Sequence, residues 1–302
     1  MKAVVIHQYG GPEVLEFEEY PDPVPGAGEV LVRVAATSIN PIDYKRRSGM
    51  LKELFPIQFP GVVGVDLSGA VLKLGPGVEG FSVGDRVLGM ADRTYAELCV
   101  VPAANLAKIP DGLDTVEAAA LPLVTTTGDQ LISNGTGIKA GQTVLVAGAV
   151  GGVGRSAVFA AKNRGAIVIA AVLKRQLQAA ESVGANQVVA TDDDGAMASL
   201  LPLDAVADAV GGKTTERLLG KVKQGGVFAS VLGFPENGKE YPAVRIVPVF
   251  ASPDAKVLLH MAQAVRDRRL VIPIDRKLPL DQAAEGQAAV EKGGIGKVLL
   301  LA

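Results

Sequence analysis

The chain has 302 residues, 48% of them hydrophobic and 21% charged, with a formal net charge of −2. That balance supports a packed core, and its interleaved charges argue against a nucleic-acid partner. A single cysteine excludes an internal disulfide, and no apolar run nears the ~20 residues of a membrane span. The start, "MKAVVIHQYG", is too weakly apolar for a signal peptide, so a cytoplasmic location without membrane contact is expected.

The first third reads as β. Short β-rich runs at 2–8, 29–37, 69–75, 85–90 and 95–102 are separated by Gly and Pro clusters such as "YPDPVPGAGE". That spacing predicts a barrel or sandwich. After the second run comes "SINPIDYKRRSG" (38–49), which gathers Asn40, Asp43, Lys45, Arg46 and Arg47. Residues 114–134 read as helical, interrupted at Pro122. Strands at 143–149, 166–172, 187–191, 204–210 and 225–233 then alternate with helices at 152–165, 175–184, 195–201 and 213–222. Nearly continuous apolar strands alternating with helices predict a parallel sheet covered on both faces. Residues 253–270 form an amphipathic helix with a basic last turn, and 271–302 returns to β.

The stretch "VLVAGAVGGVGRSAVFAAK" (144–162) joins a strand to a helix through small residues. Aligned on G-x-G-x-x-G, the three positions are Ala149, Gly151 and Gly154. With Val150, Gly152 and Val153 they would cradle a dinucleotide pyrophosphate on free helix N–H groups. An NAD site carries an acidic residue about 20 positions on. Here Lys174 and Arg175 stand in that place, which fits a 2′-phosphate and favours NADPH. The alternative is that both are solvated charges at a helix start. Thr191 ends the third strand, where the adenine edge would lie.

Five segments, "NPIDYKRRSG", "GVDLSGAVLKLGPGVEGFSVGDRVLG", "EAAALPLVTTTGDQL", "AGAVGGVG" and "GGIGKVLLLA", make the whole chain resemble the medium-chain dehydrogenase/reductase superfamily. Within it the chain is similar to the zinc-free quinone oxidoreductase branch, with its zeta-crystallin-like proteins and plant enone oxidoreductases. The resemblance implies an α/β protein of two domains. One is a GroES-like β-barrel domain over 1–122 and 268–302. The other is a Rossmann doubly wound parallel-sheet domain over 123–267. It also implies a cofactor cleft between them, a homodimer for which 244–250 is a candidate edge strand, and hydride transfer from NADPH to a quinone or the C=C bond of an α,β-unsaturated carbonyl. An NADPH-binding structural or regulatory protein with little turnover is the competing reading.

Zinc relatives carry Cys after the second strand and Gly-His-Glu further on. This chain has "AATSIN" and Gly64-Val65-Asp66, so no zinc site is expected. His7, His260 and Cys99 are expected to be structural or surface residues. Without a metal, a fixed donor must polarise the substrate carbonyl, and Lys45 is the local candidate. In family terms Asn40 and Asp43 line the same site, Asn40 facing the nicotinamide and Asp43 orienting Lys45. The alternative is an ordinary turn with solvated cations. Thr127 matches the threonine beside the nicotinamide, the alternative being a hydroxyl bonded to its own helical turn. Val210, Gly211, Leu232 and Gly233, at the ends of the fourth and fifth strands, are expected to meet the cofactor, and Lys297 to reach the cleft. Against the family pattern, Leu173, Gln176 and Thr191 replace residues that usually hold the 2′-phosphate.

Overall fold

The computed structural model describes residues 1–294 and 296–302. It divides into two compact units, Met1–Leu123 with Pro253–Ala302, and Val124–Ser252. Its described helices include none long and apolar enough to cross a membrane.

The first unit is built on β structure. The strand Glu29–Ser38 runs antiparallel to Asp66–Leu74, Leu98–Pro102 and Lys297–Leu301. With Arg86–Met90, Leu106–Lys108 and Ile274–Pro279 they complete a seven-stranded sheet. Alternate side chains turn inward, so Val30, Val32, Val34, Leu67, Val71, Val87 and Val101 form one core. Cys99 lies within it, 3% exposed, and burial pushes its thiol up to about 12. A three-stranded sheet of Lys2–Ile6, Glu16–Glu19 and Gly61–Val62 packs a second core.

Two expectations for this unit change. The tail is not all β, because the strands Ile274–Pro279 and Lys297–Leu301 pair in parallel. A parallel pair needs a crossover, and the helix Ala283–Lys292 supplies it. Gly286 in its middle weakens the helical signal. The helix Ala255–Arg266, placed in the central domain by the 267/268 boundary, groups with the first unit instead. Its periodicity announces an apolar face but not the partner, which is the Leu106–Lys108 strand.

The second unit is a six-stranded sheet, parallel throughout. In order across the sheet the strands are Gln187–Ala190, Ile167–Val172, Thr143–Ala147, Leu203–Asp208, Val222–Ser230 and Arg245–Pro248. Numbered along the chain this is 3-2-1-4-5-6, the doubly wound dinucleotide-binding order. The sixth strand, within the candidate edge segment 244–250, does lie at a sheet edge. The predicted helix at 175–184 breaks into short turns, Lys174–Gln176, Leu177–Ala180 and Glu181–Val183. The 114–134 pattern resolves into Thr115–Ala118, Pro122–Gln130 and a wide turn, Leu131–Thr136, stopped by Gly137 at φ 61°.

Candidate functional site

In the first unit the opening charged stretch is a helix, Pro41–Arg47, beginning where its strand ends. Proline suits the first helical position because the N–H it lacks would have no partner there. The Asp43 carboxylate accepts the backbone N–H of Asn40 at 2.8 Å and so ties the helix start. It also accepts the Tyr95 hydroxyl at 2.9 Å, while its Oδ1 has no partner among the described residues. Asp43 is fully buried, and burial pushes its carboxyl up to about 7 despite those two donors. It does not orient Lys45. Residues two apart on a helix face different ways, and both Asp43 donors come from elsewhere. Its role here is to anchor the helix.

Asn40 turns its side chain away from that helix start. Its Nδ2 donates to Asp66 Oδ2 at 2.8 Å and to the Ser38 carbonyl at 3.2 Å. Its Oδ1 accepts the Lys297 ammonium at 2.7 Å. Lys297 is 8% exposed and also donates to the Ile39 carbonyl at 3.3 Å and Asp66 at 3.5 Å. Burial pulls its pKa down, while the Asp66 and Asp43 charges oppose that. Asp66 further accepts the Ser38 hydroxyl and the Leu123 backbone N–H. Ser38, Asp66 and Tyr95 were not among the residues singled out from sequence. Only Gly64-Val65-Asp66, aligned to a metal motif, pointed their way.

The three cations of the helix have separate fates. Arg47 is buried, donating to Gln287 at 2.8 Å and the Gly10 carbonyl at 3.2 Å. Arg46 pairs with Asp92 at 2.7 Å. Lys45 is half-buried, and no described residue gives its ammonium a hydrogen bond or ion pair.

In the second unit the glycine turn joins Thr143–Ala147 to the helix Gly152–Asn163. The tight-turn glycine is Gly148, at φ 75°, one position before the Ala149 of the sequence alignment. Ala149 is fully buried and its N–H leans on the Ala171 carbonyl at 3.4 Å, so it shapes the turn from beneath. Gly151 donates to the Gly148 carbonyl at 3.0 Å, and the Val150 carbonyl accepts Arg155 Nε at 2.9 Å. The N–H groups of Gly152, Val153 and Gly154 open the helix and have no intrahelical acceptor.

The glycines separate by cause. A Cβ on Gly154 would sit 2.1 Å from the Gly148 carbonyl oxygen, so strand and helix meet only because it is glycine. A Cβ on Gly151 would meet nothing nearer than 3.4 Å, at an ordinary φ of −76°. Among the described residues nothing requires glycine there, and the open space beside the helix N–H groups is of the kind a pyrophosphate occupies in such a turn.

Around this turn the other expected residues fall as follows. Thr127 is 7% exposed in the helix Pro122–Gln130, and its hydroxyl makes no bond to the preceding turn. Thr191 spends its hydroxyl on the Val172 carbonyl at 3.2 Å, which makes it a strand-end clamp. Val210 and Gly211 direct their N–H groups inward to Asp208 Oδ1, at 3.0 and 3.1 Å. Asp208, not anticipated from sequence, also accepts Thr215 and Ser230 hydroxyls at 2.8 Å each and shapes this sheet end. Leu232 is 46% exposed and Gly233 takes φ 92° beside it. Lys174 and Arg175 follow the second strand. The sequence position shows no carboxylate, yet the fold brings two from the third strand's end. Asp192 accepts the Lys174 backbone N–H at 2.7 Å, and Asp193 pairs with its ammonium at 3.1 Å.

Zinc does not suit the first-unit cluster. Its residues Ser38, Asn40 and Asp66, with Val65 beside them, include no imidazole or thiolate ligand. The Lys297 ammonium already lies against Asn40 and Asp66 there. Among the described residues the group able to gather on an ion is His7, Glu16 and Glu18, on the small outer sheet.

A parallel sheet of order 3-2-1-4-5-6 with a glycine turn after its first strand is the architecture of the dinucleotide-binding domain. Comparison with known proteins narrows this. Residues 26–111 match the alcohol dehydrogenase GroES-like domain, and residues 152–252 match the zinc-binding dehydrogenase model. The chloroplast envelope quinone oxidoreductase homolog of Arabidopsis thaliana is 30% identical over 99% of this chain and 98% of its own length. The quinone oxidoreductase structure from Coxiella burnetii superposes with a TM-score of 0.89 at 30% identity, covering 100% of this chain and 99% of that one. Mycobacterial Rv1454c complexed with NADPH gives 0.86 at 29% identity, covering 100% of both chains. The chain belongs to the medium-chain dehydrogenase/reductase superfamily, in its quinone oxidoreductase branch.

Proposed function

We propose that this chain is a zinc-independent reductase that uses NADPH to reduce a quinone or the C=C bond of an α,β-unsaturated carbonyl. Lys45 carries the proposal. Among the three helix cations it alone has no partner for its charged group among the described residues, on a helix whose start is fixed by a buried polar cluster. A pre-positioned ammonium with no internal partner is available to a substrate oxygen.

Bound NADPH supplies the hydride. The N–H groups of Gly152, Val153 and Gly154 hold its pyrophosphate, and the open space over Gly151 lets the phosphates approach the backbone. Hydride addition at the β-carbon of an enone leaves negative charge on oxygen as an enolate. A quinone, itself a conjugated dicarbonyl, makes the same demand. Lys45 donates a hydrogen bond to that oxygen, a contribution of about 3–4 kcal/mol from comparable oxyanion donors. Asn40, Asp43, Asp66 and Lys297 hold the helix that presents Lys45. An association of two copies through the open Arg245–Pro248 edge is part of the same proposal.

The test follows NADPH oxidation with a small quinone and then a short-chain enone, in the wild type and Lys45→Ala. Turnover is expected with at least one acceptor, falling about 100-fold in the variant, while the Kd for NADPH stays within about 2-fold. Unchanged turnover in Lys45→Ala overturns the role of Lys45. Tight NADPH binding with no oxidation by either acceptor favours the binding-protein reading.

A further inference from the structure

The strand Ile167–Val172 lies beside the strand that carries the glycine turn. In a doubly wound sheet the residues following this second strand meet the adenosine ribose, and decide between a 2′-hydroxyl and a 2′-phosphate. Lys174 and Arg175 stand there, but they do not stand alone. The third strand, Gln187–Ala190, pairs in parallel with the second and ends in Thr191-Asp192-Asp193-Asp194.

Each of these aspartates is engaged at this sheet end. Asp192 Oδ1 accepts the Lys174 backbone N–H at 2.7 Å. Asp193 Oδ2 lies 3.1 Å from the Lys174 ammonium, while its Oδ1 accepts the Ala196 N–H at 3.0 Å. Those donors hold the Asp193 carboxyl below the usual range, so it is ionised at neutral pH. Asp194 takes Arg217 at 2.6 Å, and the same arginine donates to the Thr191 carbonyl at 3.0 Å. Two ion pairs therefore form at this sheet end, Lys174 with Asp193 and Arg217 with Asp194, while Asp192 holds the Lys174 backbone. Of the three cations here, only Arg175 lacks a partner among the described residues.

We infer that Asp192 and Asp193 set the cofactor selectivity of this site, holding Lys174 so that NADH is admitted nearly as well as NADPH. The inference rests on the nucleotide reading above. A 2′-phosphate brings close to two negative charges, and must either displace Asp193 from Lys174 or sit beside both carboxylates. A ribose hydroxyl meets no such repulsion. Asp192 uses one oxygen on the backbone and has the other to accept a hydroxyl, as the acidic residue of an NAD site does from another position. Arg175 then supplies what attraction for the phosphate remains.

Titration calorimetry with NADPH and with NADH, at constant ionic strength, reads this directly. The two Kd values of the wild type are expected within about 10-fold of each other. The pair Asp192→Asn and Asp193→Asn keeps a side-chain oxygen for both backbone N–H groups and removes both charges. It is expected to raise NADPH preference at least about 10-fold, mainly by tightening NADPH. Lys174→Ala is expected to weaken NADPH less than about 3-fold in the wild type and about 10-fold or more in the Asn pair, where the lysine is released. A wild-type preference for NADPH above about 100-fold overturns the inference, as does an unchanged ratio in the Asn pair. Failure of both dinucleotides to bind the wild type overturns the nucleotide reading beneath it as well.

Discussion

Raising the pH from 4 to 8 is expected to weaken the first unit through one carboxyl, that of Asp43. Its ordinary value of 3.8 is pushed to about 7 by complete burial, with the Asp66 charge adding to the rise. The Asn40 N–H, the Tyr95 hydroxyl and the Lys297 charge pull the other way and do not cancel it. A group whose folded pKa is raised favours folding below its unfolded pKa and loses that advantage as pH climbs through its folded value. The window is therefore pH 4 to 7. A rise of about three units, at 1.36 kcal/mol each, is on the order of 4 kcal/mol lost across it. Other groups titrate in the same range, so the measurement is a difference. Urea unfolding of the wild type and Asp43→Asn, followed by circular dichroism at pH steps from 4 to 8, isolates the Asp43 contribution. Asparagine keeps an oxygen for the Asn40 N–H and the Tyr95 hydroxyl but never ionises. The wild type is expected to lose ground to the variant steadily as pH rises from 4, and to level off above about pH 7. A gap between the two that stays flat within about 0.5 kcal/mol, or one that moves in favour of the wild type, refutes the reasoning.

Two glycines of the turn after the second unit's first strand, Gly151 and Gly154, are expected to fail differently. Gly151→Asp should leave thermal unfolding close to wild type yet abolish NADPH binding, because its Cβ has room while the carboxylate repels phosphate. Gly154→Ala should destabilise by about 1–3 kcal/mol or more in urea, since its Cβ meets the Gly148 carbonyl and neither backbone can yield. Arg47→Ala should cost about 2–4 kcal/mol, leaving the buried Gln287 acceptor and Gly10 carbonyl without their donor. Arg46→Ala should cost less, about 1 kcal/mol, because, although its own side chain is 14% exposed, its Asp92 partner is 71% exposed and stays solvated when left alone. Equal losses for the two arginines would show that burial has been misjudged as the deciding factor.

Periodicity and turn chemistry placed most of the strands and the nucleotide turn. The parallel order was already implied by strands alternating with helices, and "AGAVGGVG" located the helix N-terminus by sequence alone. Gly154 could be read there too, since a strand and helix joined so tightly leave no space for a Cβ. Pairing in space could not be read. Asp43 and Lys45 lie two positions apart, yet Asp43 serves Tyr95 and the helix start, and Lys297, from the last strand, occupies the place beside Asn40 and Asp66. The same holds at the second strand's end, where Lys174 looks like a free cation until strand pairing delivers Asp192 and Asp193. A linear motif records which side chains follow one another. Which charge neutralises which is decided by strand order and register, and those emerge only when distant segments share one sheet.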